Sequence, residues 1–178
     1  ASRARAQAEW EEQIAVLVAA GADFLIPETF FRLDEVRVCL ESCKKTALPT
    51  MVLLGIGSEK TTQDGATAAE SARILADEGA DIVGTVCIGD PEQMLPTAVE
   101  MRAAVDIPIA CQPKGFPQRP DTEEVGYAAS RFVESVPPGG MADFARKARA
   151  EGLNYIGGCC ATGPAHIRAM AQALDSKG

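Results

Sequence analysis

The sequence predicts an α/β protein whose sheet is parallel and covered by helices. Five short apolar runs alternate with segments of helical periodicity. These runs are apolar throughout instead of alternating with polar residues, as expected for strands buried on both faces. A repeated phrase supports the same architecture. Gly21-Ala22-Asp23, Gly79-Ala80-Asp81 and Gly152-Leu153-Asn154 each sit where a helix C-terminus turns into the next buried strand.

Taken in order, residues 4–20 read as an amphipathic helix with Trp10, Ile14, Leu17 and Val18 on one stripe, closed by Gly21. Asp23 to Glu28 is a short apolar strand, and Leu33 to Lys45 a helix with Val36, Leu40 and Cys43 on its apolar face. A second strand spans Pro49 to Gly55, a loop Gly57 to Gly65, and a helix Ala66 to Glu78. Asp81 to Cys87 is the third strand. Pro91 to Val105 is a helix, with Pro91 suited to its first turn. Ile107 to Gln112 is the fourth strand, and the proline-rich segment from Pro113 to Gly140 holds one helix near Glu123 to Val133. A helix over Met141 to Glu151, a strand over Leu153 to Gly157 and a helix over Pro164 to Leu174 complete the series. Five such units fall short of the eight in a closed (β/α)₈ barrel, which usually takes about 250 residues, and they also suit a doubly wound sheet. Periodicity leaves both open.

The chain has 178 residues, 47% apolar and 24% charged, which is enough for one domain with a real core. No linker divides it, so residues 1–178 read as a single domain. A net charge of −8 without a basic stripe argues against a nucleic-acid partner. No apolar run approaches the roughly 20 residues that span a bilayer, and no signal peptide is visible, so a cytoplasmic protein is expected. The chain opens Ala-Ser-Arg-Ala, without an initiator Met and already in a helical pattern, so it is expected to be a piece of a longer protein.

The reactive residues cluster at strand C-termini, where α/β proteins build their sites. Glu28 ends the first strand, Cys87 the third, Cys111-Gln112 the fourth, and Gly157-Gly158-Cys159-Cys160 the fifth. Three cysteines from two strands form a plausible Cys₃ site for zinc, with a fourth position open to water or substrate. The glycines at 157 and 158 are expected to let the backbone turn so that neighbouring thiols aim inward. Pro164 begins a helix beneath them, and free N–H groups are expected near Gly163. A buried Cys is more often a small hydrophobe than a ligand, and Cys39, Cys43 and Cys111 are read that way. The vicinal pair lacks the CxxC pattern of thiol-redox proteins. His166, the one histidine, is read as a surface or helix-end residue.

The run from Tyr155 through Gly157-Gly158-Cys159-Cys160 to Pro164-Ala165-His166-Ile167-Arg168 resembles the signature of the homocysteine S-methyltransferase family. Ile82 to Cys87, followed by Gly89-Asp90-Pro91, is similar to the strand that ends in that family's first zinc ligand, and Gln112-Pro113-Lys114-Gly115 to its next strand end. The likeness covers nearly the whole chain, in order. It implies a (β/α)₈ barrel of which this chain holds about the last five βα units, the N-terminal strands being absent. It also implies transfer of a methyl group from an onium or methylcobalamin-type donor to homocysteine, giving methionine, with Zn²⁺ on Cys87, Cys159 and Cys160. Glu28 is carried over as the contact for the homocysteine ammonium, with Thr29, Gln112, Gly157 and Gly158 in the substrate site. Val86 replaces the family's Asn, Ala161 its Gly after the vicinal pair, and its first-strand Asp-Gly-Gly has no counterpart here. That absence leaves a rival expectation: a non-catalytic zinc-binding half-barrel that works as a homo-oligomer, or with a chain or segment supplying the N-terminal half.

Overall fold

The computed structural model describes residues 2–57, 59–116 and 135–175. Helices and strands alternate through them: α1 (Arg3–Ala19), β1 (Glu28–Phe30), α2 (Leu33–Cys43), β2 (Met51–Leu54), α3 (Ala68–Asp77), β3 (Ile82–Val86), α4 (Pro91–Ala104), β4 (Ile109–Gln112), α5 (Pro138–Ala150), β5 (Tyr155–Ile156) and α6 (Pro164–Asp175). The strands form one sheet in sequence order, β1-β2-β3-β4-β5, with every pair parallel. The helix expected near Glu123 to Val133 lies outside the described residues. No helix among those described is long and apolar enough to cross a membrane.

The three repeated phrases have a common mechanism. Gly21, Gly79 and Gly152 adopt φ of +87°, +93° and +80°, a conformation that closes a helix and is open to glycine without steric cost. Two residues later, a polar side chain latches onto the preceding strand. Asp81 Oδ2 accepts from Thr50 N at 2.8 Å, and Asn154 Oδ1 from Ile109 N at 3.2 Å. Asp23 holds the same place in the first unit and makes no such bond among the described residues.

Helix starts follow local chemistry. Thr67 and Glu70 form a capping box at α3, and Asp90 Oδ1 accepts from Glu92 N and Gln93 N ahead of Pro91 at α4. Arg32 gives α2 no side-chain cap. The Asp64 carboxylate, from the loop before α3, supplies it instead, accepting from Leu33 N and Asp34 N at 2.9 Å each.

Two boundaries differ most from expectation. The first strand was placed at Asp23 to Glu28, but Glu28 begins β1 instead of ending it. Pro27 has no N–H, so the ladder between Leu25 and Glu28 runs on carbonyls: Leu25 O accepts from Met51 N and Pro27 O from Leu53 N. Thr29, at φ +62°, then forms a bulge, so that Glu28 pairs with Leu53 and Phe30 with Leu54. The fifth helix starts at Pro138 instead of Met141, with Gly139 and Gly140 in a first turn that needs no helix propensity from them.

The bulk of the core lies between sheet and helices. Val52, Leu54, Val83, Ile109 and Cys111 point outward and are fully buried beneath Val36, Leu40, Leu75, Met94, Met101 and Met141. Trp10 of α1 packs on Phe30 with ring centroids 5.4 Å apart. The opposite face carries a smaller cluster of Met51, Leu53, Val86 and Ala110, against which Cys87 and Cys159 rest.

Candidate metal centre

Each thiol of the rim cluster is aimed by a specific backbone device. Cys87 follows β3 at φ +71°, its N–H bonded to Gln112 O, while Ile88 N reaches back to Val86 O at 2.9 Å. This is a γ-turn with a left-handed centre, a rarely populated conformation that turns the side chain off the strand. Beyond β5, Cys159 N donates to Pro113 O at 2.8 Å, Gly115 N to Cys160 O at 2.7 Å, and Thr162 N to Cys159 O at 3.0 Å. The vicinal pair is thus laced to the turn after β4.

The glycines at 157 and 158 act by size, not by φ, since neither is left-handed. A Cβ on Gly158 would lie 2.4 Å from the Thr162 side chain, and one on Gly157 would press on Gln112 at 3.3 Å. The left-handed positions are Cys87 and Ala161, the latter at φ +62° where the sequence departs from the family's Gly.

The result is a half-buried triangle of sulfurs. Cys87 Sγ is 3.3 Å from Cys160 Sγ, Cys159 Sγ is 3.8 Å from Cys160 Sγ, and all three lie within 4.8 Å of one another. Zn–S bonds of about 2.3 Å in a tetrahedron put sulfurs about 3.8 Å apart, so small shifts of the thiols bring the triangle to the spacing that a zinc ion requires. A hydrogen bond with the Cys159 thiol outweighs the burial penalty at Cys87. Together with Cys160 and the charge of Lys114, it brings the Cys87 thiol down to about 6. The same bond pushes Cys159 well above the usual thiol range. A thiol cluster that loses its first proton near neutrality suits a soft cation.

The other cysteines differ. Burial in the outer core pushes the Cys111 thiol up to about 12, and Cys39 and Cys43 are buried on α2.

The remaining site residues are dispersed along the inner face. Gln112 pairs with Val86, and its side chain lies over Gly157. Glu28 shares a layer with Leu53, Gly84, Ala110 and Tyr155, so it sits exposed on the inner face below the rim, two strands from β3. Thr29 is the bulge residue beside it. The N–H expected to be free at Gly163 is taken: it donates to His166 Nδ1 at 3.0 Å, while His166 Nε2 donates to Val136 O at 2.9 Å. His166 therefore caps α6 and ties it to the start of α5. Two neighbours escaped the sequence reading. Thr162 Oγ1 is buried beside Gly158 without a hydrogen-bond partner among the described residues, and Lys114 is buried next to the cluster.

A parallel βα sheet with three thiols at its C-terminal rim defines a class, α/β proteins with a thiolate metal site. Within that class, the chain belongs to the homocysteine S-methyltransferase family, whose model matches residues 1–174. It is 32% identical over 179 residues to betaine–homocysteine S-methyltransferase 1 of Danio rerio, covering 94% of this chain and 44% of that protein. It is 33% identical over 189 residues to an S-methylmethionine–homocysteine S-methyltransferase of Pongo abelii, covering 96% and 50%. The chain spans about half the length of the curated relatives it matches. Among solved structures it resembles the homocysteine methyltransferase MmuM of Escherichia coli, with a TM-score of 0.76 for the apo form and 0.74 for the metallated form, at 20% identity. The apo match covers 97% of this chain and 57% of MmuM. The five βα units are thus a consecutive arc of a (β/α)₈ barrel.

Proposed function

We propose that this chain carries the zinc site of a homocysteine S-methyltransferase, which moves a methyl group from an onium or methylcobalamin-type donor to homocysteine, giving methionine. One observation carries the reading: three thiols from two strand ends stand at zinc–thiolate spacing in a chain of this family. Cys87, Cys159 and Cys160 would hold the zinc and leave room for the substrate thiol. Zinc, when bound, supplies a Lewis acid that favours the thiolate at neutral pH, where a free thiol of pKa about 8.5 is mostly protonated. The substrate sulfur releases its proton to solvent and attacks the methyl carbon. The bond from that carbon to the donor's onium atom or cobalt breaks, and the donor keeps the electron pair.

Glu28 pairs with the substrate ammonium from the inner face, Thr29 and Gln112 line the pocket, and Gly157 and Gly158 leave it space. Residues 1–178 act as one homocysteine-binding domain. Six free thiols support a reducing, cytoplasmic setting.

A second reading has its own support. β1 presents an open edge among the described residues, with Phe24 and Ile26 49% and 37% exposed just ahead of it. On that reading the chain holds zinc but acts only with another segment or chain. The test is zinc content together with methionine formation from homocysteine and betaine or S-methylmethionine. Bound zinc with turnover by this chain alone supports the first reading. Bound zinc without turnover, restored by adding the N-terminal strands, supports the second. A zinc-free protein overturns both.

A further inference from the structure

We infer that Lys114 is a positioning residue for the sulfur triangle: its buried side chain, on the turn bonded to both thiol-bearing loops, offsets the negative charge that the site gathers when it holds a cation and a substrate thiolate. The inference rests on the zinc reading above.

The backbone fixes where this side chain can go. Lys114 N donates to Gly89 O at 3.0 Å, two residues past Cys87. On either side, Pro113 O accepts from Cys159 N, and Gly115 N donates to Cys160 O. Gly115 is locked there, because a Cβ would meet Ala161 O at 2.9 Å. The tripeptide therefore bridges both ligand-bearing loops, and Lys114 is its middle residue.

The side chain is only 8% exposed, and Nζ lies 4.6 Å from the centre of the Phe116 ring. Lysines are rarely buried unless something compensates the charge. Burial pulls the ammonium's pKa down, and the nearby Asp90, Cys87 and Cys160 oppose that shift.

The charge balance gives this placement a purpose. Three thiolates and one divalent cation leave a single negative charge, and a substrate thiolate makes it two. In a half-buried site that excess weakens retention of the last thiolate to arrive. A fixed ammonium in the adjoining wall lowers that penalty without entering the coordination sphere, as outer-shell partners of metal ligands do elsewhere.

The experiment is competition for Zn²⁺ between a chromophoric chelator and the purified protein, wild type against Lys114→Met and Lys114→Arg. Methionine keeps the aliphatic stem and removes the charge, whereas arginine restores the charge. Lys114→Met should bind zinc about tenfold more weakly, Lys114→Arg should stay within about threefold of wild type, and the metal-free melting temperatures should agree. Lys114→Gln serves as a second neutral variant if methionine disturbs folding, with the same tenfold loss expected. Wild-type zinc affinity in the neutral variants overturns the inference while leaving the zinc site standing, as does an equal loss in the arginine variant. Failure of the wild type itself to bind zinc overturns the parent reading, and this one with it.

Discussion

On the outer face of the sheet, Val52, Leu54, Val83, Ile109 and Cys111 are fully buried under the helices. On the inner face, the layer of Glu28, Leu53, Gly84, Ala110 and Tyr155 mixes a buried leucine, a glycine and an alanine with two exposed side chains. The same strands supply both layers, since successive residues point to opposite sides. The division separates stability from chemistry. Outer residues fill volume and stay inert, as the raised pKa of Cys111 illustrates. Inner and rim residues stay small, polar or reactive. The bulge at Thr29 shows how locally this is arranged, because one extra residue sends Glu28 inward and Phe30 outward.

The largest effect that tests this division is loss of a rim thiol. Cys160→Ala should reduce zinc from about one per chain to near zero and cut methyl transfer at least about a hundredfold, with the far-ultraviolet circular dichroism unchanged. Retention of stoichiometric zinc breaks the ligand assignment. On the packed side, Leu54→Ala should lower unfolding free energy by about 3 kcal/mol in urea titrations. Tyr155→Ser on the inner face, where 39% of the residue is exposed, should change it by less than about 0.5 kcal/mol. Equal losses at both positions mean the two faces do not differ as described.

Asp64→Asn tests a polar link on the outer side and should cost about 1 kcal/mol, the ordinary loss for a helix cap. Partial burial opposes ionisation of Asp64, but hydrogen bonds from Thr62, Asp34 and Leu33 outweigh it and hold the carboxyl well below the usual range. A depressed carboxyl contributes its full stabilisation above the ordinary pKa of about 4 and loses it as pH falls through the folded value. The gap between wild type and Asp64→Asn should therefore narrow in urea titrations carried from pH 6 toward pH 3. The smallest change is a gain. Ala161→Gly relieves a left-handed alanine and should raise stability by up to about 1 kcal/mol while zinc binding is kept. A loss of stability there shows that the backbone at 161 is not strained.

Much of this is legible in the amino-acid sequence, for physical reasons. Gly79-Ala80-Asp81 and Asp90-Pro91 encode helix ends through local backbone chemistry, and that chemistry operates identically in the folded chain. The gathering of Cys87 with Cys159 and Cys160 followed from the rule that parallel strands deliver their C-terminal residues to one rim. Other features depend on partners distant in sequence. The capping of α2 by Asp64 and the burial of Lys114 beside residues 87 and 160 leave no local trace. His166, expected at the surface or a helix end, is a half-buried residue in the first turn of α6, and its capture of the Gly163 N–H leaves no sequence trace because it depends on how the ring turns. The start of β1 was misplaced because Pro27 and Thr29 interrupt a ladder that an apolar run suggests is regular.

Cys87 and Cys160 are 73 residues apart along the chain, so any ion gripped between them is also a crosslink. Closing so long a loop mostly removes freedom from the unfolded ensemble. On the proposed metal reading, the unfolding temperature should climb with free metal and drop on chelation, as mass action requires. A cell short of that metal would accumulate less of the protein, independent of how fast it is made.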